Sequence, residues 1–326
     1  MTVISDLFTK HTNASFDSLA LQVFQYQAQN NNVYNKYISL LNINSDEVAR
    51  IEDIPFLPIQ FFKSQMVVSS GDPVIKTFLS SGTTGVQQSK HLVTNLFMYE
   101  ESYRKAFSHF YGDIEEYVIL ALLPSYLERD GSSLIYMVED LIKRSNKSES
   151  GFYLNNLDEL SQVLLKLEDH GKKVILIGVS FALLDLIEKH QFSLKNTIVM
   201  ETGGMKGKRK EMIREELHAI LKAGFGVDVI HSEYGMTELL SQAYSKGYGV
   251  FNCPPWMKIL IRDTEAPLSL LPLGKTGGIN VIDLANMNSC SFIATQDLGK
   301  VFENKSFEIL GRFDNSDIRG CNLLIS

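Results

Sequence analysis

Ser80-Ser81-Gly82-Thr83-Thr84-Gly85 is a run of small and hydroxyl side chains closed by glycine. Such a loop has little side chain to hold a ligand at a distance. It can turn backbone N–H groups and several hydroxyls toward an anion, most often a phosphate. Its glycines permit the positive-φ turns that wrapping a phosphate needs. Much further along, Tyr234-Gly235-Met236-Thr237-Glu238 adds an aromatic face, a hydroxyl and a carboxylate on one short turn. An aromatic ring stacks on a purine, a threonine bonds a phosphate oxygen, and a glutamate holds Mg²⁺ through oxygen. Alone, the first stretch reads equally well as a polar surface turn; together, the two read as an ATP site.

No other nucleotide fingerprint competes. The phosphate loop GxxxxGK[ST] is absent, because Gly274-Lys275-Thr276 is preceded by Ser269 where the earlier glycine belongs. A GxGxxG loop is absent too, since Gly247-Tyr248-Gly249 runs on into Phe251-Asn252.

Working outward, residues 74–79 read as a strand feeding the first loop. Further strands are expected at 117–123, 174–178, 197–201 and 227–232, and helices at 95–111, 134–143, 157–169, 181–189 and 210–223. Upstream, residues 11–50 look helical: Phe16, Ala20 and Phe24 recur beside Leu19, Val23 and Tyr26, and Asn30-Asn31-Asn32 breaks the run. Residues 54–62 form an aromatic, proline-bounded connection. Strands alternating with helices define an α/β fold with a parallel, three-layer sheet. Ligands of such sheets sit outside the C-terminal strand ends, so Gly82, Pro124, Gly178, Gly203 and Tyr234 are expected to line one crevice. After residue 250 the pattern turns to short β segments at 258–262, 278–283, 291–295 and 307–310, which predict a small β subdomain.

A chain of 326 residues carries a soft expectation of about two domains, and a chain this long buries roughly 75 % of its unfolded surface. An apolar content of 44 % with 21 % charged residues is that of an ordinary globular protein. The net charge of −7 and the lack of a basic, aromatic-interleaved tract argue against a nucleic-acid partner. The three cysteines, Cys253, Cys290 and Cys321, show no CxxC spacing and no even count, which argues against a disulfide framework or a structural zinc site. The N-terminus has Asp6 inside its apolar run, unlike a secretory signal. The longest apolar stretch, 174–187, is too short to span a bilayer. The cytoplasm is the expected compartment.

These motifs resemble the adenylate-forming superfamily of acyl-CoA synthetases, firefly-type luciferases and peptide-synthetase adenylation domains. Three more matches follow in that superfamily's order: Leu271-Pro272-Leu273-Gly274-Lys275-Thr276-Gly277-Gly278, then Thr295-Gln296-Asp297-Leu298-Gly299, then Gly311-Arg312-Phe313-Asp314 with Ile318-Arg319-Gly320. Within it, the chain is similar to the LuxE-type acyl-protein synthetases of bacterial bioluminescence. The likeness is carried by Ile54-Pro55-Phe56-Leu57-Pro58, Gln87-Gln88-Ser89-Lys90-His91, Pro124-Ser125-Tyr126-Leu127-Glu128-Arg129, Thr202-Gly203-Gly204-Met205-Lys206-Gly207 and Ser232-Glu233-Tyr234-Gly235-Met236-Thr237-Glu238-Leu239.

The resemblance implies an ATP-dependent enzyme that makes an acyl-adenylate from a fatty or other carboxylic acid and passes the acyl group to a thiol. In that reading Ser80, Ser81, Gly82, Thr83, Thr84 and Gly85 hold the β- and γ-phosphates. Gly203, Gly204 and Tyr234 flank adenine, Thr237 bonds the α-phosphate, and Glu238 holds Mg²⁺. Asp297 takes the ribose hydroxyls with Arg312 nearby, and Tyr126, Ser132 and Gly203 face the acyl substrate. Cys321 receives the acyl group, or an acceptor protein does, a reductase or a carrier protein. It also implies an adenylation domain over 1–310, with a β subdomain at about 251–310, and a hinge-like stub over 311–326 in place of a C-terminal lid. The lid's lysine then has no counterpart; one lost donor to a developing charge typically costs ~10²–10³ in rate.

Plainer readings stand beside these. Glu238 could be an acid at a helix N-terminus, Asp297 the start of a turn, Arg312 a surface charge, and Cys321 a small apolar residue packed with Leu323 and Leu324. Cys253 and Cys290 read as core. Lys206, Lys208, Arg209 and Lys210 are either a solvated helix start or a dock for an acidic partner or triphosphate. Two rival functions remain. One is a non-catalytic nucleotide- or acyl-binding module that needs a partner chain. The other is a hydrolase or acyltransferase built on Gly178-Val179-Ser180-Phe181-Ala182 with Asp228 and His231, or on the His109…Asp113 spacing.

Overall fold

The structure, a computed structural model, describes residues 7–9, 11–69, 71–81, 87–123, 131–203, 209 and 212–312. Its elements run α1 (Asn13–Asn30), α2 (Asn32–Leu40), β1 (Leu57–Pro58), α3 (Phe61–Ser64), β2 (Lys76–Leu79), β3 (Lys90–Val93), α4 (Leu96–Tyr111), β4 (Val118–Leu122), α5 (Ser133–Ser145), β5 (Gly151–Phe152), α6 (Leu157–Asp169), β6 (Val174–Val179), α7 (Ser180–Lys189), β7 (Thr197–Thr202), α8 (Arg214–Phe225), β8 (His231–Tyr234), β9 (Ala243–Ser245), β10 (Val250–Asn252), β11 (Met257–Arg262), β12 (Thr276–Asp283), β13 (Phe292–Val301) and β14 (Phe307–Arg312). The chain divides into two compact units, one of residues 77–88 and 97–254, the other of residues 1–76, 89–96 and 255–326.

The first unit is the α/β half. Its strands lie in the order β5-β4-β6-β7-β8-β9-β10. They are parallel from β5 to β8 and antiparallel from there on. Every residue of β4 and of β6 is buried, as befits inner strands of a parallel sheet covered on both faces. The helix α7 packs on β6, β7 and α8, and α5 packs on β4. Gly178 lies inside β6, where an added Cβ would stand 2.9 Å from Leu183. That glycine serves the fit between strand and following helix, so it does not line a crevice as expected.

The second unit joins the N-terminal helices to the later β segments. β11, β12, β13 and β14 pair antiparallel in that order, and β1 adds in parallel to β13. Asn31 ends α1 and begins α2: its N–H donates to Gln27 O, and its Oδ1 caps α2 by accepting from Tyr34 N. Its Nδ2 donates to Ser289 O at 2.7 Å and to Ser69 Oγ at 3.2 Å. One turn earlier, Gln27 Nε2 donates to the carbonyls of Asn286 and Met287, both at 3.0 Å, and Gln27 Oε1 accepts from Ser291 N at 3.0 Å. These buried amides replace water at the 284–291 turn and fix α1 against it. Phe24, Tyr34, Phe56 and Phe292 fill the space between in edge and stacked contacts.

Several boundaries differ from the sequence reading. Regular helix within 11–50 stops at Leu40 and gives way to 3-10 turns at Ser45–Glu47 and Ile51–Asp53. The strand expected at 227–232 begins at His231 and takes in Tyr234. The strand expected to end at Thr295 continues to Val301, so Asp297 sits in a strand, not at a turn. β3, β5, β9 and β10 were not foreseen; each is two to four residues long, shorter than a period-2 pattern needs to declare itself.

Candidate functional site

In the α/β unit the site is built from the ends of two neighbouring parallel strands. Met200 and Glu201 of β7 pair with His231 and Ser232 of β8, so the next residues, Thr202 at the end of β7 and Glu233 one short of the end of β8, lie level with each other. Thr202 Oγ1 donates to Glu233 Oε2 at 2.5 Å. Gly203 follows Thr202 with φ +71 and is exposed. Gly235 follows Tyr234, and a Cβ there would collide with Glu233 Oε1 and stand 3.2 Å from Gln242 Cγ. The chain then makes a short turn, with Leu239 N donating to Met236 O at 3.1 Å. Thr237 is half-buried there and Glu238 only 6 % exposed. No helix follows Glu238, so the reading of this carboxylate as an acid at a helix N-terminus falls.

A polar cluster braces the strand ends from the α8 side. Glu201 is buried; burial alone would raise its pKa, but a hydrogen bond from His218, the Arg214 charge and a bond from Ser232 hold it below the usual carboxylate range. The Arg214 guanidinium lies 4.9 Å over the Phe251 ring, and Phe251 meets Tyr234 edge-on at 6.1 Å. Ser180 Oγ is fully buried, 3.4 Å from Glu201 Oε2. Asp228 is exposed, and the His231 ring pairs with the Tyr111 hydroxyl at 3.2 Å. The residues of the hydrolase reading are therefore not assembled. Asp113 of the acyltransferase spacing caps a 3-10 turn by accepting from Glu115 N.

The other expected residues fall as follows. The carbonyl of Ser80 accepts from Gln88 Nε2 at 2.8 Å, and Ser81 is exposed. Gly82, Thr83, Thr84, Gly85, Pro124, Tyr126, Gly204, Lys206, Lys208, Lys210 and Cys321 lie outside the described residues. Ser132 is the N-cap of α5, its Oγ accepting from Ile135 N. Arg209 is paired with Asp185 and Glu188. Cys290 is buried, and burial pushes its thiol up to about 12, which makes it inert. Cys253, expected in the core, is half-buried.

In the β unit Asp297 lies opposite Arg312 in the β13–β14 ladder, and Arg312 Nε stands 3.3 Å from Asp297 Oδ1. Arg312 is 74 % exposed and Asp297 largely buried. Asp297 N donates to Thr295 Oγ1 at 3.1 Å. Behind them the buried Arg262 donates to Ile279 O (2.7 Å), Asn280 Oδ1 (2.9 Å) and Thr295 O (2.5 Å). Gly277 and Gly278 make room for it: a Cβ on Gly278 would lie 2.6 Å from the Arg262 Cζ. Sequence reasoning missed Arg262, Thr202, Glu233 and Gln242. The adjacent Gly277-Gly278 pair was the one available signal of a bulky neighbour; Glu233 was visible only as a motif neighbour.

Among the described residues no group of three or more His, Cys, Asp or Glu is arranged to hold a metal ion, and no helix is long and apolar enough to cross a membrane.

A parallel sheet with glycine-bearing turns at its strand ends is the plan of the adenylate-forming enzymes. ATP-bound MatB from Rhodopseudomonas palustris is similar to this chain with a TM-score of 0.55 and 17 % identity, over 75 % of this chain and 49 % of that one. An open conformation of 2-hydroxyisobutyryl-CoA ligase in complex with 2-HIB-AMP and CoA is similar with a TM-score of 0.66 and 13 % identity, over 94 % of this chain and 72 % of that one. The chain thus spans about half the length of the first and under three quarters of the second. Residues 142–326, more than half of the chain, match the acyl-protein synthetase family LuxE, and the chain belongs to that family. The long-chain-fatty-acid–luciferin-component ligase of Vibrio harveyi is 22 % identical over 333 residues, 93 % of this chain and 85 % of that protein.

Proposed function

We propose that this chain uses ATP to convert a carboxylic acid, in the first instance a fatty acid, into an acyl-adenylate and then passes the acyl group to a thiol. The observation that carries this is Glu238: a carboxylate buried on a helix-free turn, beside Thr237, at the C-terminal edge of a parallel sheet, in a chain of the LuxE family. The names of the relatives support the chemistry: one is a fatty-acid ligase, one was solved with ATP, and one with an acyl-adenylate and CoA.

The adenylation domain would occupy residues 1–310 and a hinge-like segment 311–326. Ser80, Ser81, Thr83 and Thr84 would grip the β- and γ-phosphates. Tyr234, edge-braced by Phe251, and Gly203 with Gly204 would hold adenine, and Asp297 the ribose, with Arg312 nearby. The hard oxygens of Thr237 and Glu238 fit Mg²⁺; bound, that ion would neutralise phosphate charge. The acid's carboxylate oxygen attacks the α-phosphorus in line, and the bond to pyrophosphate breaks with its electron pair leaving on pyrophosphate. A thiolate, that of Cys321 or of an acceptor protein, then attacks the acyl carbon and AMP departs. Catalysis is positioning and charge neutralisation.

The test is pyrophosphate release by the purified chain with ATP and a panel of carboxylic acids, repeated for Glu238→Ala. Release that falls by ~10²-fold or more in the variant supports the reading. ATP binding without release from any acid would favour the non-catalytic module. Hydroxylamine-sensitive acyl label on the chain that survives Cys321→Ser would remove the thioester role from Cys321.

A further inference from the structure

Tyr234 is the ring proposed to take adenine, and three strands and a helix combine to hold it. Residues directly opposite each other in an antiparallel pair share a face. Ser232 and Tyr234 of β8 lie opposite Ser245 and Ala243 of β9, and Ser245 lies opposite Phe251 of β10. These five side chains therefore share one face, the face on which Ser232 meets His218 of α8. Between the two rings β9 presents a serine and an alanine, both fully buried. Across these small residues Phe251 meets Tyr234 edge-on, with centroids 6.1 Å apart.

Phe251 is itself covered. The Arg214 guanidinium lies 4.9 Å over its ring, and Arg214 Nε stands 3.7 Å from Glu201 Oε1. The Glu201 carboxylate is fixed in turn by His218 Nε2 at 3.5 Å and by Ser180 Oγ at 3.4 Å. A Cβ on Gly249 would stand 3.0 Å from Arg214 Cδ, so the arginine stem is confined as well as its head. Arg214 is the first residue of α8, and Glu215 and Glu216 follow it. A helix N-terminus favours those two acids and disfavours a cation. A cation kept there against the dipole breaks a local rule, and such breaks gather at functional sites. A stacking ring held still before its ligand arrives spares the ligand the entropy of ordering it.

We propose that Arg214 and Phe251 are positioning residues for adenine: Glu201 anchors Arg214, Arg214 clamps Phe251, and Phe251 fixes the plane in which Tyr234 meets the base. This rests on the reading that Tyr234 takes adenine, and it extends the nucleotide site to residues that act through that ring.

The experiment compares the native chain with Tyr234→Leu, Phe251→Leu, Arg214→Met and Arg214→Lys. Arg214→Met leaves Glu201 with His218 and Ser180, so no buried carboxylate is stranded. Dissociation constants are measured by calorimetry for ATP, which carries the base, and for inorganic tripolyphosphate, which does not. KM for ATP and kcat are measured by pyrophosphate release with a fatty acid. Phe251→Leu and Arg214→Met should each weaken ATP about fivefold to tenfold, with tripolyphosphate at its native value. The KM for ATP should rise by the same factor with kcat within about twofold. Arg214→Lys, which keeps a cation over the ring, should recover most of the loss. ATP affinity that falls in Tyr234→Leu but in neither Phe251→Leu nor Arg214→Met overturns the proposal and leaves the adenine reading standing. A loss shared by tripolyphosphate, a loss confined to kcat, or an Arg214→Lys no better than Arg214→Met also overturns it. ATP affinity untouched in Tyr234→Leu overturns both. The binding measurements decide the matter whether or not any acid yields pyrophosphate.

Discussion

His231 is held neutral by its place in β8. Burial, and then the charge of Lys246, depress its pKa to about 4. An unfolded histidine titrates near 6.5. Between those values the unfolded chain takes up a proton that the folded chain refuses, so stability declines as pH falls below about 6.5 and the loss is complete near pH 4. After discounting for the water that reaches part of the ring, the loss is of the order of 2 kcal/mol. Urea midpoints at pH 7, 5.5 and 4.5 should fall less steeply for His231→Gln than for the native chain; equal slopes would exclude His231 as the cause. At this scale the placing of Thr237 and Glu238 on a short turn just after a strand was legible in the sequence, because they belong to a motif. Glu233 was not, although it is adjacent, since its partner Thr202 comes from another strand.

Helices were the most legible elements. Leu157–Asp169 has the ends that its apolar spacing gives, with Asn156 as its cap. The later β segments were legible in place but not in length, because a ladder continues for as long as a neighbour pairs with it, and neighbours are set by long-range contacts. The glycines between β11 and β12 make this testable. A Cβ on Gly277 would run into the Arg262 carbonyl, which is backbone and cannot rotate away, for a cost of about 3 kcal/mol. A Cβ on Gly278 would displace the Arg262 guanidinium from its three acceptors and leave a buried charge unanswered, about 3–5 kcal/mol. Gly274, with φ +81 and open space around it, should lose only roughly 1 kcal/mol as alanine. Urea denaturation of the three alanine variants should rank them 278, 277, 274 in severity; a Gly274→Ala as damaging as Gly278→Ala would refute the role given to Arg262.

Across the whole molecule, the α/β half could be read from alternating strands and helices, because each carries its own local apolar pattern. The other unit could not. It draws on residues 1–76 and 255–326, and what ties them together, Gln27 and Asn31 reaching the 286–291 turn, is a set of polar side chains with no local signature. Arg262 has a consequence at this scale. A guanidinium keeps its proton at any pH the chain survives. A partial assembly of Met257–Arg262 with Thr276–Asp283 alone strands that cation one carbonyl short, the missing acceptor being Thr295 in Phe292–Val301. Partial assemblies are thereby penalised, and the three strands open as one block. Their amide hydrogens should wash out into heavy water at a single common free energy, and earlier release of any one strand would contradict this.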